Sequence, residues 1–343
     1  MLSPARAAIT SVGRFLPEER LTNAQLSEMV DTNDEWIRTR TGIIERRVMW
    51  DQDKATSYMA VRAGADALSK RGLPADQLDV IIVATVTPDM FFPATACLVQ
   101  AGLGATGAWG FDLSAACSGF VFALNTGASL IAGGAYKRVL IIGADKMSSI
   151  TDYTDRKTCV LFGDAAAAVL LEADTDGAGI VDSALYCDGR NWESLCMLGG
   201  GSLNPPTART VEDKMHYIHQ EGRAVFKVAV RGMADVAAEI MERNSLTGED
   251  VRFLVPHQAN KRIIDAVARR MDLDPNRVML NIERYGNTTA ATIPLCLNDW
   301  EHQLRRGDKL IIASFGGGFT WGAIYLKWAY DGVRDARTDG EAA

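Results

Sequence analysis

Leu73-Pro-Ala-Asp-Gln-Leu-Asp-Val-Ile-Ile82 aligns without gaps on Leu246-Thr-Gly-Glu-Asp-Val-Arg-Phe-Leu-Val255, an offset of 173 residues. Each stretch follows a helical pattern, over 58–71 or 226–243, and runs through a turn into an apolar strand, 78–85 or 251–256. A second run, Val139-Leu-Ile-Ile142, matches Leu310-Ile-Ile-Ala313 at an offset of 171. Helix followed by apolar strand is a common pattern, so either match alone carries little weight. Two matches at nearly one offset, close to half of the 343 residues, point to a duplicated α/β unit. The expected fold is two halves, 1–180 and 181–330, each a mostly parallel sheet with helices on its faces. Packed together through helices, the halves give a five-layered α-β-α-β-α arrangement. The polar tail 331–343 is expected to stay outside it.

Composition narrows the function classes. Lys and Arg number 36 against 43 Asp and Glu, a net charge of −7, which argues against general nucleic-acid binding. Charged residues at 23% and apolar ones at 48% suit a packed globular chain. Apolar runs such as 80–86 fall far short of the roughly 20 residues that cross a bilayer, so no membrane association is expected. No secretory signal is read in the N-terminal residues, which lack a charged region followed by an apolar one. The cysteines at 97, 117, 159, 187, 196 and 296 have no CxxC spacing and read as thiols of a cytoplasmic protein. No cluster of Cys and His has ligand spacing, so no metal site is expected.

One cysteine stands apart. Asp112-Leu-Ser-Ala-Ala-Cys117-Ser-Gly119 follows a short strand at 108–113 and opens a small-residue helix reaching Ile131. At such a turn the helix N-terminus favours a thiolate, and the small neighbours leave room for a substrate. Among four histidines, 216 and 219 fall in a polar loop and 302 on an exposed helix. His257, in Val255-Pro-His257-Gln-Ala-Asn260, lies just past a buried strand, where α/β folds place their sites. A shift of 170 residues carries Cys117 onto Asn287, in Tyr285-Gly-Asn287-Thr-Thr-Ala-Ala291, so a pseudo-twofold axis is expected to bring the two face to face. Cys, His and Asn can then converge as a nucleophile and two donors to a carbonyl or enolate oxygen. The triplet Gly316-Gly317-Gly318 allows close backbone approach and an oxyanion hole.

The segments Asp34-Glu-Trp36-Ile-Arg-Thr-Arg40-Thr41-Gly42-Ile43, Ala115-Ala-Cys117-Ser-Gly-Phe120, Pro256-His257-Gln-Ala-Asn260, Gly286-Asn287-Thr288 and Phe315-Gly-Gly-Gly-Phe-Thr-Trp321-Gly resemble β-ketoacyl-acyl-carrier-protein synthase III. The resemblance runs in order over about 5–329. It implies the duplicated thiolase fold and a Cys117–His257–Asn287 triad, with the Cys117 and Gly317 amides as oxyanion hole. The implied reaction is ping-pong. Cys117 takes the acyl group of an acyl-CoA; malonyl-acyl-carrier protein then loses CO2, its thioester oxygen held by His257 and Asn287, and its enolate attacks the acyl-cysteine. Neither metal nor redox cofactor is implied; acyl-CoA enters as substrate. Trp36 and Arg156 are expected to sandwich the CoA adenine, Arg40 and Thr41 to meet its phosphates and ribose side, and Phe226 and Asn260 to line the pantetheine channel. Met147, Phe162 and Phe315 would shape the acyl pocket, with Phe92 reaching in from the second subunit of a homodimer. The basic helix after His257, with Lys261, Arg262 and Arg269, and Lys227 beside it, is expected to dock the acidic carrier protein.

Lys157, Arg223 and the longer loop 199–210 depart from the family pattern and bear on the CoA contacts. An alternative keeps the fold and Cys117 but serves secondary metabolism, as a related condensing or acyl-transfer enzyme. A non-catalytic scaffold would lack a triad member, and all three are present.

Overall fold

The computed structural model describes residues 6–332. Its first sheet holds β1 (Arg6–Phe15), β2 (Val80–Ala84), β3 (Trp109–Leu113), β4 (Arg138–Asp145) and β5 (Ala165–Asp174), in the order β1-β5-β4-β2-β3. The second holds β6 (Gly179–Cys187), β7 (Phe253–Pro256), β8 (Lys309–Gly316) and β9 (Thr320–Lys327), in the order β7-β8-β9-β6. Setting β3 aside, the two orders and their strand directions are the same. β2 pairs parallel with β4 as Val80 with Val139, and β7 pairs parallel with β8 as Phe253 with Leu310. These pairs are the ones that the offsets of 173 and 171 superpose.

The sheets are mixed, which corrects the expectation of mostly parallel ones. β5 runs antiparallel to β4, and β9 antiparallel to β8. In the second half the reason is plain: only 317–319 separate β8 from β9, too few residues for a helical crossover.

Alternate side chains of each central strand face opposite layers. Val80, Ile82 and Ala84 share one core cluster with Phe253, Val255, Leu310 and Ile312. Between them lie α4 (Gly119–Ala132) and α7 (Thr292–Trp300), which supply Phe120, Leu124, Ile293 and Leu297. Ile81 and Val83 instead pack on the outer helices α2 (Thr56–Arg71) and α3 (Thr95–Leu103). Leu254 and Ile311 do the same with α5 (Gly222–Arg243) and α6 (Lys261–Arg270). Five layers result. The remaining helix used below, α1 (Asp34–Thr41), precedes them in the chain and ends in a left-handed Gly42 cap.

Of the expected tail, Asp331 accepts from the Arg306 backbone N–H and Gly332 donates to the Leu304 carbonyl. Residues 333–343 lie outside the described residues. Among those described, no helix is long and apolar enough to cross a membrane.

Candidate active site

Cys117 sits in a single 3-10 turn, Ala116–Ser118, between β3 and α4. Ala116 has φ +47°, in the left-handed region that costs a non-glycine residue about 1–2 kcal/mol. The other half of the chain holds this turn in place. Ser314 Oγ donates to the Cys117 carbonyl at 2.8 Å, Thr320 Oγ1 to the Ala115 carbonyl at 3.0 Å, and Ser118 Oγ to the Thr320 carbonyl at 3.0 Å. A Cβ on Gly316 would stand 2.7 Å from the Cys117 nitrogen and 2.9 Å from that of Ser118, so this position requires glycine. Gly316 is therefore the residue against the nucleophile's backbone. A Cβ on Gly317, the residue expected there, would instead meet the Leu195 carbonyl oxygen at 3.0 Å.

The second half contains a matching turn. Thr289, with φ +50°, opens the 3-10 segment Thr289–Ala291 that leads into α7. Ala116 and Thr289 are 289 − 116 = 173 residues apart, so the counterpart of Cys117 is Ala290. This corrects the pairing of Cys117 with Asn287 at an offset of 170. Asn287 lies three residues earlier and reaches the site by another route. Its N–H donates to the Leu161 carbonyl at 2.9 Å, its carbonyl accepts from Gly163 at 3.1 Å, and the two segments form a short parallel bridge at Phe162. The Thr289 N–H donates to Asn287 Oδ1 at 2.9 Å. That leaves Nδ2 as the donor end, and the amide is hydrogen-bonded to the Cys117 thiol.

His257 directly follows β7, its N–H donating to the Ala313 carbonyl at 2.8 Å. The ring is buried, with Nδ1 2.7 Å from Thr292 Oγ1. Burial alone drives its pKa down to about 3, so the ring is neutral at physiological pH.

The cysteine departs from expectation. Burial first, and then the Asp145 carboxylate, push its thiol from 9.0 up to about 12, against a smaller lowering by Asn287. A helix N-terminus contributes about 0.3–1 kcal/mol, less than the roughly 1.4 kcal/mol that one pKa unit represents. Burial wins, and the empty site holds a thiol.

Cys117, His257 and Asn287 line one cavity of about 130 Å³. Met147, Phe162 and Phe315 give it apolar walls, and Phe226 and Asn260 also border it. The sequence did not reveal the hairpin of Leu195–Met197 with Ile218–Gln220, which adds Leu195, Ile218 and Gln220 to the lining. His219 and His302 are exposed as expected; His216 is half-buried, its ring 4.1 Å from that of Tyr217. Phe92 is 85% exposed and absent from this lining.

The residues read as CoA contacts divide. The Arg156 guanidinium lies 4.6 Å from the centre of the Trp36 ring, so the two pair face to face with no space between them. Arg40 is exposed. Thr41 is buried: its hydroxyl donates to the Ile37 carbonyl at 2.6 Å and accepts from the Ile43 N–H at 3.0 Å. It staples the end of α1, and this corrects its reading as a ligand contact. Asn260 caps α6, its Oδ1 accepting from the Arg262 N–H and its Nδ2 donating to the Arg40 carbonyl at 2.9 Å. Lys157 and Arg223 are exposed.

The basic residues divide as well. Arg262 lies 4.8 Å over the Phe226 ring and shares a groove with Arg269. Lys261 turns to Asp265 at 2.9 Å, and Lys227 faces a separate groove beside Tyr186 and Trp321.

Comparison with known proteins agrees with this geometry. Residues 111–189 match the family model 3-oxoacyl-[acyl-carrier-protein] synthase III, and residues 241–328 match the model of its C-terminal part. The β-ketoacyl-[acyl-carrier-protein] synthase III of Chlorobium phaeovibrioides is 58% identical over 94% of this chain and 99% of its own. The crystal structure of the 3-oxoacyl-[acyl-carrier-protein] synthase III of Aquifex aeolicus superposes with a TM-score of 0.87 at 44% identity, over 94% of this chain and all of that one. The priming β-ketosynthase of the R1128 polyketide pathway superposes with a TM-score of 0.88 at 30% identity, over 96% and 99% of the two chains. With a duplicated five-layered fold, a cysteine, histidine and asparagine at one cavity, and these likenesses over nearly its full length, the chain belongs to the β-ketoacyl-acyl-carrier-protein synthase III family.

Proposed function

We propose that the chain catalyses the decarboxylative Claisen condensation of a short acyl-CoA with malonyl-acyl-carrier protein, through an acyl-cysteine at Cys117, and so initiates fatty-acid synthesis. The observation that carries this is the convergence of Cys117, His257 and Asn287 on one enclosed cavity from distant segments of both halves. Cys117 attacks the thioester and releases CoA. In the second half-reaction the thioester oxygen of the malonyl group becomes an enolate oxygen, and a buried neutral imidazole and a fixed amide are suited to donate to it. Amides of the turn at Cys117 and of the glycine strand would serve the acyl oxygen.

Substrate and partner contacts follow the same reading. Met147, Phe162 and Phe315 bound the starter acyl group. Adenine binding between Trp36 and Arg156 first requires the guanidinium to lift from the indole. The groove of Arg262 and Arg269 receives the acidic carrier protein. A homodimer is supported by β3, the open edge of the first sheet with Trp109 44% exposed, and by the neighbouring Phe91 and Phe92, 74% and 85% exposed. Loop 199–210 joins that surface, with Gly200 near the Phe91 ring. The enzyme would work in the cytoplasm. The test is intact-mass analysis of Cys117 after exposure to a panel of acyl-CoAs, followed by malonyl-carrier protein. Acylation of another residue, or none, would refute the reading.

A further inference from the structure

Both donors proposed above are oriented from behind by one short stretch of backbone, Thr289–Thr292. The Thr289 N–H fixes Asn287 Oδ1 and so turns Nδ2 outward. Three residues on, Thr292 is buried, with Oγ1 2.7 Å from His257 Nδ1 and 3.1 Å from the Thr289 carbonyl oxygen. A hydroxyl has one proton and must choose between these neighbours. The Thr289 carbonyl already accepts the backbone N–H of Thr292, whereas Nδ1 has Thr292 as its hydrogen-bond partner. The shorter contact and the greater need coincide. The hydroxyl proton belongs on Nδ1.

From this juxtaposition we propose that Thr292 is a positioning residue, donating to Nδ1 of His257 and thereby holding the ring's proton on Nε2, the nitrogen left for the cavity. The inference rests on the condensing activity proposed above and deepens it. A neutral imidazole with a bare Nε2 would set a lone pair against the malonyl thioester oxygen. The tautomer set by Thr292 offers that oxygen an N–H before any charge develops there. The ring need not ionise in a buried site. Acylation of Cys117 makes no use of this donor, so the effect of Thr292 falls on the second half-reaction.

The experiment combines a spectrum with kinetics. With histidine labelled in ¹⁵N, only four imidazoles contribute, and single His→Gln variants at 216, 219 and 302 assign the fourth. The expected result in the resting enzyme is His257 neutral and protonated on Nε2; a proton on Nδ1 overturns the proposal. Thr292→Val should lose that tautomer preference and slow malonyl-carrier-protein decarboxylation at least about tenfold in kcat, with KM and the rate of Cys117 acylation little changed. Thr292→Ser should restore both signal and rate to within about twofold. Decarboxylation at the wild-type rate in Thr292→Val, or no rescue by Thr292→Ser, also overturns it. Should the valine variant not fold, the wild-type spectrum and the serine variant still decide. A wild-type enzyme that shows the expected spectrum but never acylates Cys117 refutes the proposed activity instead, so the two failures are distinct.

Discussion

Thr289 donates its hydroxyl to the buried carboxylate of Asp145, joining the two halves of the chain directly behind the candidate site. The other oxygen of Asp145 accepts from Thr85 Oγ1, the Val86 N–H, and both the N–H and Oγ1 of Thr87, at 2.8–3.1 Å. So many donors on one carboxyl group favour its ionised form against the cost of burial. The charge serves as an anchor for the left-handed Thr289, and it opposes ionisation of Cys117.

Asp145→Asn therefore has two expected effects. Removing the negative charge lowers the Cys117 pKa, and alkylation by iodoacetamide at fixed pH rises by about tenfold if the pKa falls by about one unit. The wild-type rate should keep climbing about tenfold per pH unit from pH 7 to 10, since thiolate is the minor form below about 12. The variant curve lies to its left. Loss of the charged anchor should also cost about 1–3 kcal/mol of stability, read by thermal denaturation. A plateau in the wild-type alkylation profile near pH 7 would contradict the buried-thiol assignment.

The triad should separate the half-reactions. Cys117→Ala loses self-acylation by acyl-CoA yet keeps some decarboxylation of malonyl-carrier protein. His257→Ala and Asn287→Ala keep acylation and lose decarboxylation by about a hundredfold or more. Intact mass reads the first step and CO2 release the second. Condensation by the Cys117→Ala enzyme would end the assignment.

Gly316→Ala tests the scaffold beneath the nucleophile. Its new methyl would have to displace backbone at Cys117 and Ser118, because no flexible side chain is there to yield. Overpacking of this kind costs about 1–3 kcal/mol, and Cys117 acylation should fall more than tenfold. Gly72→Ala, a left-handed helix cap with open space around it, should lose about 1 kcal/mol and leave the acylation rate alone. Equal rate losses in both variants would show that stability, not placement of Cys117, sets the effect.

What the sequence made legible is what repeats locally. The offsets of 173 and 171 survive as Val80–Val139 and Phe253–Leu310 pairs because strand register is tied to the apolar alternation that carries the match. The offset at the site was misread by three residues. The true markers of equivalence, left-handed Ala116 and Thr289, are backbone conformations that neither alanine nor threonine advertises. Ser314 and Thr320 escaped notice for a related reason: a hydroxyl bonded to a carbonyl about 200 residues away leaves no local pattern. Thr41 shows the converse error. A polar residue in a binding motif was read as facing ligand, while its hydroxyl closes the end of its own helix.

The carrier-protein surface gives the last prediction. Helix α6 bears Lys261, Arg262, Arg269 and Arg270 against a single Asp265, in a chain of net charge −7. Lys261 is engaged with Asp265, and Arg270 lies 3.8 Å from Asp235. Arg262 and Arg269 are left on one groove beside Phe226, which itself borders the cavity. An acidic partner drawn there would bring its prosthetic arm to the cavity entrance. Exposed charges act through solvent and are screened over about 8–10 Å at ordinary salt, unlike chemistry inside the cavity. Arg269→Glu is the cleaner probe, because Arg262 also covers the Phe226 ring. It should raise KM for malonyl-carrier protein about tenfold at low salt, flatten the salt dependence, and leave Cys117 acylation by acyl-CoA unchanged. Arg262→Glu should add to that loss and also slow acylation, by disturbing Phe226. Lys227→Glu, on the separate groove, should have the smaller effect. If Arg269→Glu slowed both half-reactions equally, the patch would be serving CoA entry or the fold, and carrier-protein docking would have to be sought elsewhere.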